Sequence, residues 1–323
     1  MTSSSTDRQS ATVGVHPPVQ IVEPTTRSVG ELVRLKRGRT ISVCLPALDE
    51  AETIGPIVDA IVRQLMAPAG PPLVDELIVM DDSSTDDTAD VAAAAGAVVV
   101  AVDDVLPETG DGRGKGNVMW KSIAASTGDI VVWCDTDLTS FTSSYVTRLV
   151  APLLESDHVD LVKGFYDRPL DEDGQGGGRT TELVARPLLS MFFPPLASIR
   201  QPLGGECAAR RRLLERLPFV EGYGVETGLL IDALRTIGTR HIAQVDLGVR
   251  THRHRTLLQL SEQAAEITAV TLLRAGIELP NPLPPLRGVD GGSTAVRVTE
   301  RPPMITVPGY RGTGEATRDL ATA

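Results

Sequence analysis

The sequence predicts an α/β fold built on a mainly parallel central sheet, and three observations predict it. Short apolar runs suited to buried strands alternate with longer stretches of helical periodicity, the pattern of repeated βαβ units. The runs at residues 74–80 and 130–134 stop abruptly at acidic residues, and the run at 40–46 leads through Ala47 and Leu48 to Asp49 and Glu50, as strands do where they reach a sheet edge. Glycine stands where helical patterns end, most plainly Gly96 after the alanine-rich stretch 89–95.

In chain order, residues 1–28 are polar and poor in aromatics, and are expected to be a disordered tail. A short helix follows Ser28. Residues 40–46 make a first strand, and the apolar spacing of Ile57, Val58, Ile61, Val62 and Leu65 makes a helix. Strands at 74–80 and 98–102 bracket the alanine helix. Residues 110–116 hold four glycines with Arg113 and Lys115 among them, and read as a mobile loop ahead of a helix over 117–125. Then comes the strand 130–134, ending in Asp135 and Asp137. Further on, helices are expected over 145–154, from Thr180, over 210–217, over 225–237 and over 257–273, with strands at 159–166 and 242–249. Residues 167–178 read as a flexible loop and 280–323, rich in Pro and Gly, as an irregular tail. The resulting division is a tail (1–28), one catalytic-size domain (29–255, with halves of about 40–138 and 139–255) and a C-terminal helix with its tail (256–323).

Composition excludes several classes. The chain has 323 residues and a formal net charge of −11, which argues against sequence-independent nucleic-acid binding. No apolar run approaches the roughly 18 residues of a membrane span. The polar N-terminal stretch does not read as a secretory signal. Cys44, Cys134 and Cys207 lack metal-ligand spacing and are odd in number, so a reducing cytoplasm is the expected setting.

The chemistry concentrates at strand ends. In an extended chain, side chains two apart point the same way, so Asp135 and Asp137 can face one spot beyond their strand. Two carboxylates aimed together favour a divalent cation between them; the other reading is two solvated acids capping the next helix. The acidic segments 45–50 and 81–88 flank the same edge, where their acids can accept hydrogen bonds from a base or a ribose, or can cap the following helices. Lys115 on its glycine loop can close over a diphosphate or mark an ordinary turn. Gly178, Arg179 and Thr181, at the start of a helix, suit an anion or a simple linker and cap. His252 and His254 sit among Arg250, Arg253 and Arg255, a basic cluster conspicuous in an acidic protein. Glu226 opens a helix after two glycines, where the helix dipole favours an acid and a sugar hydroxyl would find an acceptor.

These residues carry a resemblance. The segments Leu-Pro-Ala-Leu-Asp-Glu (45–50), Asp-Asp-Ser-Ser-Thr-Asp-Asp-Thr (81–88) and Cys-Asp-Thr-Asp (134–137), in this order, resemble the GT-A class of nucleotide-sugar glycosyltransferases. The segments 176–189, 201–206, 222–232 and 250–255 resemble the actinobacterial glucosyl-3-phosphoglycerate synthases, over about residues 30–275. The resemblance implies a GT-A Rossmann-like nucleotide-sugar-binding domain with a helical C-terminal extension. It implies glucose transfer, with retention, from UDP-glucose or GDP-glucose to 3-phosphoglycerate, with Mg²⁺ or Mn²⁺ as cofactor and a homodimer as the assembly. It assigns Pro46, Ala47, Leu48, Glu50, Asp82, Lys115, Asp135, Leu203 and Glu226 to the donor, with Asp135, Asp137, Glu226 and Lys115 catalytic. Gly178, Arg179, Thr181, His254 and Arg255 fall to the acceptor, and Asp137, His252 and Asp135 to the metal. The sequence departs from the family pattern at Asp82, where Ser-Gly is common, at His254, where Asn is usual, and at Gly204, where Ser is usual. Two other readings stay open: a transferase for another anionic or lipid-linked acceptor, and a nucleotide-sugar-binding regulator without turnover. The lack of a membrane anchor counts against a lipid-linked acceptor, and retention of every candidate metal and acceptor residue counts against a regulator.

Overall fold

The structure, a computed structural model, describes residues 17–66, 70–167, 178–249, 257–288 and 291–312. Its strands are β1 (Gln20–Val22), β2 (Ile41–Ala47), β3 (Glu76–Asp81), β4 (Val98–Ala101), β5 (Ile130–Trp133), β6 (Leu161–Asp167), β7 (Cys207–Arg210), β8 (Phe219–Val220), β9 (Ile242–Val249), β10 (Leu286–Arg287), β11 (Ser293–Thr294) and β12 (Glu300–Arg301). Eight of them form one sheet in the order β1-β9-β6-β7-β5-β2-β3-β4. The half β5-β2-β3-β4 is parallel throughout. In the other half β7 runs antiparallel to both β5 and β6, while β6-β9-β1 is parallel. The helices are α1 (Val29–Lys36), α2 (Ala51–Ile61), α3 (Thr88–Ala95), α4 (Gly114–Ala125), α5 (Ser144–Glu155), α6 (Arg186–Phe192), α7 (Arg211–Leu214), α8 (Val225–Ile237) and α9 (Leu257–Arg274).

The period-two alternation of the strands divides the core between the two sheet faces. Val43 and Leu45 of β2, with Ile130 and Val132 of β5, join Ile54, Ile57, Val58 and Leu149 in one cluster. Cys44, Val131 and Trp133 point the other way, into a cluster with Trp120, Phe219 and Leu230. Both faces being covered explains why these strands read as unbroken apolar runs. α1 begins where the sequence places it, because Ser28 and Glu31 form a capping box.

Four expectations need correction. The helix expected over 210–217 is shorter: Arg210 closes a strand, β7, that the sequence did not announce, and only Arg211–Leu214 are helical. The glycine segment 110–116 is not a loop to its end: Gly114, Lys115 and Gly116 form the first turn of α4, so Lys115 rides on a helix. Gly116 is held there by packing, since a Cβ on it would overlap the Val220 carbonyl. The N-terminal tail is not disordered throughout, because Gln20–Val22 add a parallel edge strand to β9. The C-terminal tail is irregular yet fastened, with β12 pairing to β8 and Met304 fully buried.

Candidate active site

The carboxyl ends of β2, β3 and β5 open onto a cavity of about 400 Å³. This is the edge where parallel α/β sheets bind ligands. Pro46, Ala47, Leu48 and Glu50 line it from the end of β2, Asp82 from the end of β3, and Asp135 and Asp137 from the end of β5. The three strand ends are fastened together. Thr136 Oγ1 donates to the Pro46 carbonyl at 2.8 Å, and Asp82 N donates to the Ala47 carbonyl at 2.9 Å.

The acidic loops divide their labour. Thr85 N donates to Asp49 Oδ1 (2.7 Å), Ala51 N to Asp86 Oδ2 (3.1 Å), and Glu50 N to Thr88 Oγ1 (2.8 Å). Asp49 and Asp86 thus brace one loop on the other, while Glu50 and Asp82 face the cavity. Burial, then the nearby Asp103 and Asp81, push the Asp82 carboxyl above the usual carboxylate range.

Lys115 is the electrostatic centre. Its Nζ lies 2.6 Å from Asp135 Oδ1 and 2.8 Å from Glu226 Oε1. The first turn of α4 delivers Lys115, the first turn of α8 delivers Glu226, and the end of β5 delivers Asp135. Desolvation, the strongest influence on Lys115, works against its charge, but Asp135 and Glu226 overcome it and hold the ammonium well above its usual range. Glu226 is 8% exposed and Leu203 lines the cavity beside this group. A Cβ on Gly205 would overlap both Asp135 Oδ1 and Lys115 Nζ, so the pair exists only because that position has no side chain. Gly205 is absent from the sequence-derived set; its only signal was a Gly-Gly pair before the fully buried Glu206.

Gly178, Arg179 and Thr181 line the same cavity, where the chain enters a helical turn. His252, His254 and Arg255 lie outside the described residues. Every described member of the sequence-derived set therefore borders one cavity. Arg113, Gly222, Tyr223, Leu260 and Gln263 border it too and were not in that set. Arg113 is occupied elsewhere: its Nη2 donates to Glu266 Oε1 at 2.9 Å, and Glu266 Oε2 accepts from Tyr223 N at 2.8 Å. The wall from α9 is invisible to local reading because it forms only when that helix docks on α8.

The donor atoms suit a hard divalent ion. Asp135 and Asp137 share one rim, and Mg²⁺ or Mn²⁺ in phosphate sites takes one or two carboxylates and completes its shell with phosphate oxygens and water. Among the described residues there is no group of three His, Cys, Asp or Glu placed to hold a metal alone. The cysteines offer no alternative, since burial pushes the Cys44 thiol up to about 12 and that of Cys207 up to about 11.

Comparisons with known proteins agree with this geometry. The family model for glycosyl transferase family 2 matches residues 42–217. The glucosyl-3-phosphoglycerate synthase of Mycolicibacterium smegmatis is 48% identical over 289 residues, covering 87% of this chain and 94% of the relative. The glucosyl-3-phosphoglycerate synthase of Mycobacterium tuberculosis, solved in complex with Mn²⁺, UDP-glucose and phosphoglyceric acid, superposes with a TM-score of 0.82 at 45% identity, covering 89% of this chain and 98% of that one. The same enzyme solved with Mn²⁺, UDP and glucosyl-3-phosphoglycerate superposes with a TM-score of 0.80 at 45% identity, covering 89% and 99%. A further form holds Mg²⁺ and UDP.

Proposed function

The chain belongs to the glucosyl-3-phosphoglycerate synthases of glycosyl transferase family 2, and on that premise we propose that its cavity transfers glucose from UDP-glucose to 3-phosphoglycerate. The observation that carries the proposal is that one cavity is lined by two chemically different sets of residues, with Lys115 among its lining. One set is made of strand-end acids and backbone suited to a nucleoside. The other carries Gly178, Arg179 and Thr181, which together offer an amide, a guanidinium and a hydroxyl to the phosphate and carboxylate of the acceptor.

The residues divide the reaction as follows. Pro46, Ala47, Leu48, Glu50 and Asp82 seat the nucleoside. Asp135 and Asp137 hold Mg²⁺ or Mn²⁺, which supplies neutralisation of the negative charge that grows on the leaving diphosphate. Lys115 stays cationic in the same place and adds a second positive charge there. Glu226, paired with Lys115 at 2.8 Å, accepts from a glucose hydroxyl and fixes the sugar. The acceptor oxygen bonds to the anomeric carbon on the face from which the diphosphate departs. The bond to the diphosphate breaks, and the acceptor's hydroxyl proton passes to a diphosphate oxygen. Retention follows without a protein nucleophile. His252, His254 and Arg255 complete the metal and acceptor shells in this reading.

The assembly is proposed to be a homodimer in the cytoplasm. No helix among the described residues is long and apolar enough to cross a membrane. The helix α9 is one plausible contact element, although its Ile267 and Val270 are buried inside the chain. Leu183, 76% exposed, and Met191, 64% exposed, offer a better apolar surface for a second copy. Light scattering that returns a monomer mass would remove the dimer. For the reaction, UDP release is measured with UDP-glucose and Mg²⁺ as each small phosphorylated acid is added in turn. Release that depends on 3-phosphoglycerate supports the proposal, and donor binding without acceptor-dependent release refutes it.

A further inference from the structure

We propose that Arg301, in the C-terminal tail, is a positioning residue for the Lys115–Glu226 pair, an inference that rests on the reading of these two side chains as donor-binding groups. Lys115 and Glu226 come from segments far apart in the chain, and each sits in the first turn of its helix, just beyond a glycine-containing approach. Something must hold the two approaches at a fixed separation. Arg301 touches both.

Arg301 is 6% exposed, and each nitrogen of its guanidinium has a partner. Nε lies 2.9 Å from Asn117 Oδ1 and 2.8 Å from Glu221 Oε1. Nη1 donates to the Thr109 carbonyl at 2.9 Å, and Nη2 to the Gly110 carbonyl at 3.1 Å. The guanidinium carbon stands 5.3 Å from the centroid of the Trp120 ring. Thr109, Gly110 and Asn117 lie on either side of Lys115, while Glu221 lies at the entry to the turn that leads to Glu226. The guanidinium therefore bridges the two segments that supply the pair.

The surroundings are built to the same end. β12 brings Arg301 in by pairing it with Phe219. Glu221 N donates to the Thr299 carbonyl at 2.9 Å, and Thr299 Oγ1 donates to Glu221 Oε2 at 2.6 Å, so both carboxylate oxygens of Glu221 are held by the tail. Trp120 Nε1 donates to the Pro302 carbonyl at 2.8 Å, and Arg113 Nη2 to the Arg297 carbonyl at 2.9 Å. Gly112 has room only for hydrogen, because a Cβ there would overlap Arg301 Nη2 and Asn117 Oδ1. An arginine used merely to pin the tail would not need carbonyls on one catalytic segment and a carboxylate on the other. Only a planar fork with several donors spans both, and a lysine cannot reproduce it.

The test is steady-state kinetics of full-length Arg301→Met, Arg301→Lys and Glu221→Gln, each with UDP-glucose and 3-phosphoglycerate varied separately, below the melting midpoint of every variant. Misplacing Lys115 against the diphosphate raises KM for UDP-glucose about tenfold in Arg301→Met, with KM for 3-phosphoglycerate within about twofold of wild type. Arg301→Lys, which keeps the charge, falls between the two. Glu221→Gln keeps the shape and breaks only the ionic link, so it shifts the donor KM in the same direction even if Arg301→Met does not fold. Turnover by the wild type tests the functional reading; only the ratio of variant to wild type tests Arg301. Folded variants with wild-type donor KM, or with both KM values raised alike, overturn the proposal.

Discussion

Replacing Gly205 with Ala adds one methyl group at the least forgiving point of the cavity. The backbone at Gly205 is not in the left-handed region, so alanine meets no conformational penalty and the effect is steric. The new Cβ overlaps Asp135 Oδ1 and Lys115 Nζ. The ammonium ends a long side chain and can swing aside, whereas the Asp135 carboxylate, on a short stem at the end of a buried strand, has little room to move. Either response breaks the 2.6 Å contact between them. Overpacking of this kind costs about 1–3 kcal/mol of stability. A displacement of about 1 Å among groups that hold a reacting diphosphate costs roughly 10²-fold in rate, or about 2.7 kcal/mol of transition-state stabilisation. The assay is kcat/KM for UDP-glucose at saturating 3-phosphoglycerate, with urea unfolding of the same preparations. Gly204→Ala is the control: its Cβ would stand 3.3 Å from Glu206 Oε2 and Tyr166 Oη, tight but tolerable, so its kcat/KM stays within about threefold of wild type. A folded Gly205→Ala enzyme with wild-type kcat/KM refutes the view that the Lys115–Asp135 contact organises the site.

Other outcomes follow from the same geometry. Asp137→Ala loses roughly 10²-fold or more of its metal-dependent rate with its melting temperature within a few degrees of wild type, and calorimetry with Mn²⁺ and UDP shows weakened coupled binding; unchanged coupling contradicts the metal role. Arg179→Met raises KM for 3-phosphoglycerate about tenfold or more while leaving KM for UDP-glucose near wild type; the reverse pattern moves Arg179 to the donor side. Burial, and then the hydrogen bond to Glu215, push the Tyr310 hydroxyl up to about 12. A folded pKa above the unfolded one means this hydroxyl stabilises the fold fully below pH about 10 and loses that contribution as pH climbs towards 12. Tyrosinate absorbance in stopped-flow pH jumps follows it, and Tyr310→Phe removes one high-pH tyrosine signal.

The strands β2, β3 and β5 were legible because both of their faces are buried, so their apolar runs stand out and their ends are marked by Asp and Glu. The candidate residues on those ends were legible for the same reason, and Pro46 to Glu50, Asp82, Asp135 and Asp137 do border one cavity. β7 was not, because Cys-Ala-Ala-Arg has neither β-branching nor alternation and is a strand only because β5 and β6 sandwich it. β1 is three residues long and owes its form to β9, far away in sequence. Lys115 was read as a cation that can close over a diphosphate or mark an ordinary turn, and its helical seat depends on Gly116 packing against Val220, a contact no local pattern announces. Arg301 is the extreme case. Its surroundings, Glu-Arg-Pro-Pro, read only as part of an irregular tail, and its significance lies wholly in the tertiary contacts with Asn117 and Glu221.

The central claim is that the two sets of residues lining this cavity bring a sugar donor and a small phosphorylated acid together at Lys115. Proton and phosphorus NMR of a single reaction, containing the protein, UDP-glucose, 3-phosphoglycerate and Mg²⁺, tests it most directly. The account predicts loss of the UDP-glucose anomeric signal, appearance of UDP in equal amount, and a new anomeric signal of the same configuration on a glucosyl phosphoglycerate. UDP-glucose that stays intact, or that yields free glucose with 3-phosphoglycerate unchanged, would contradict it.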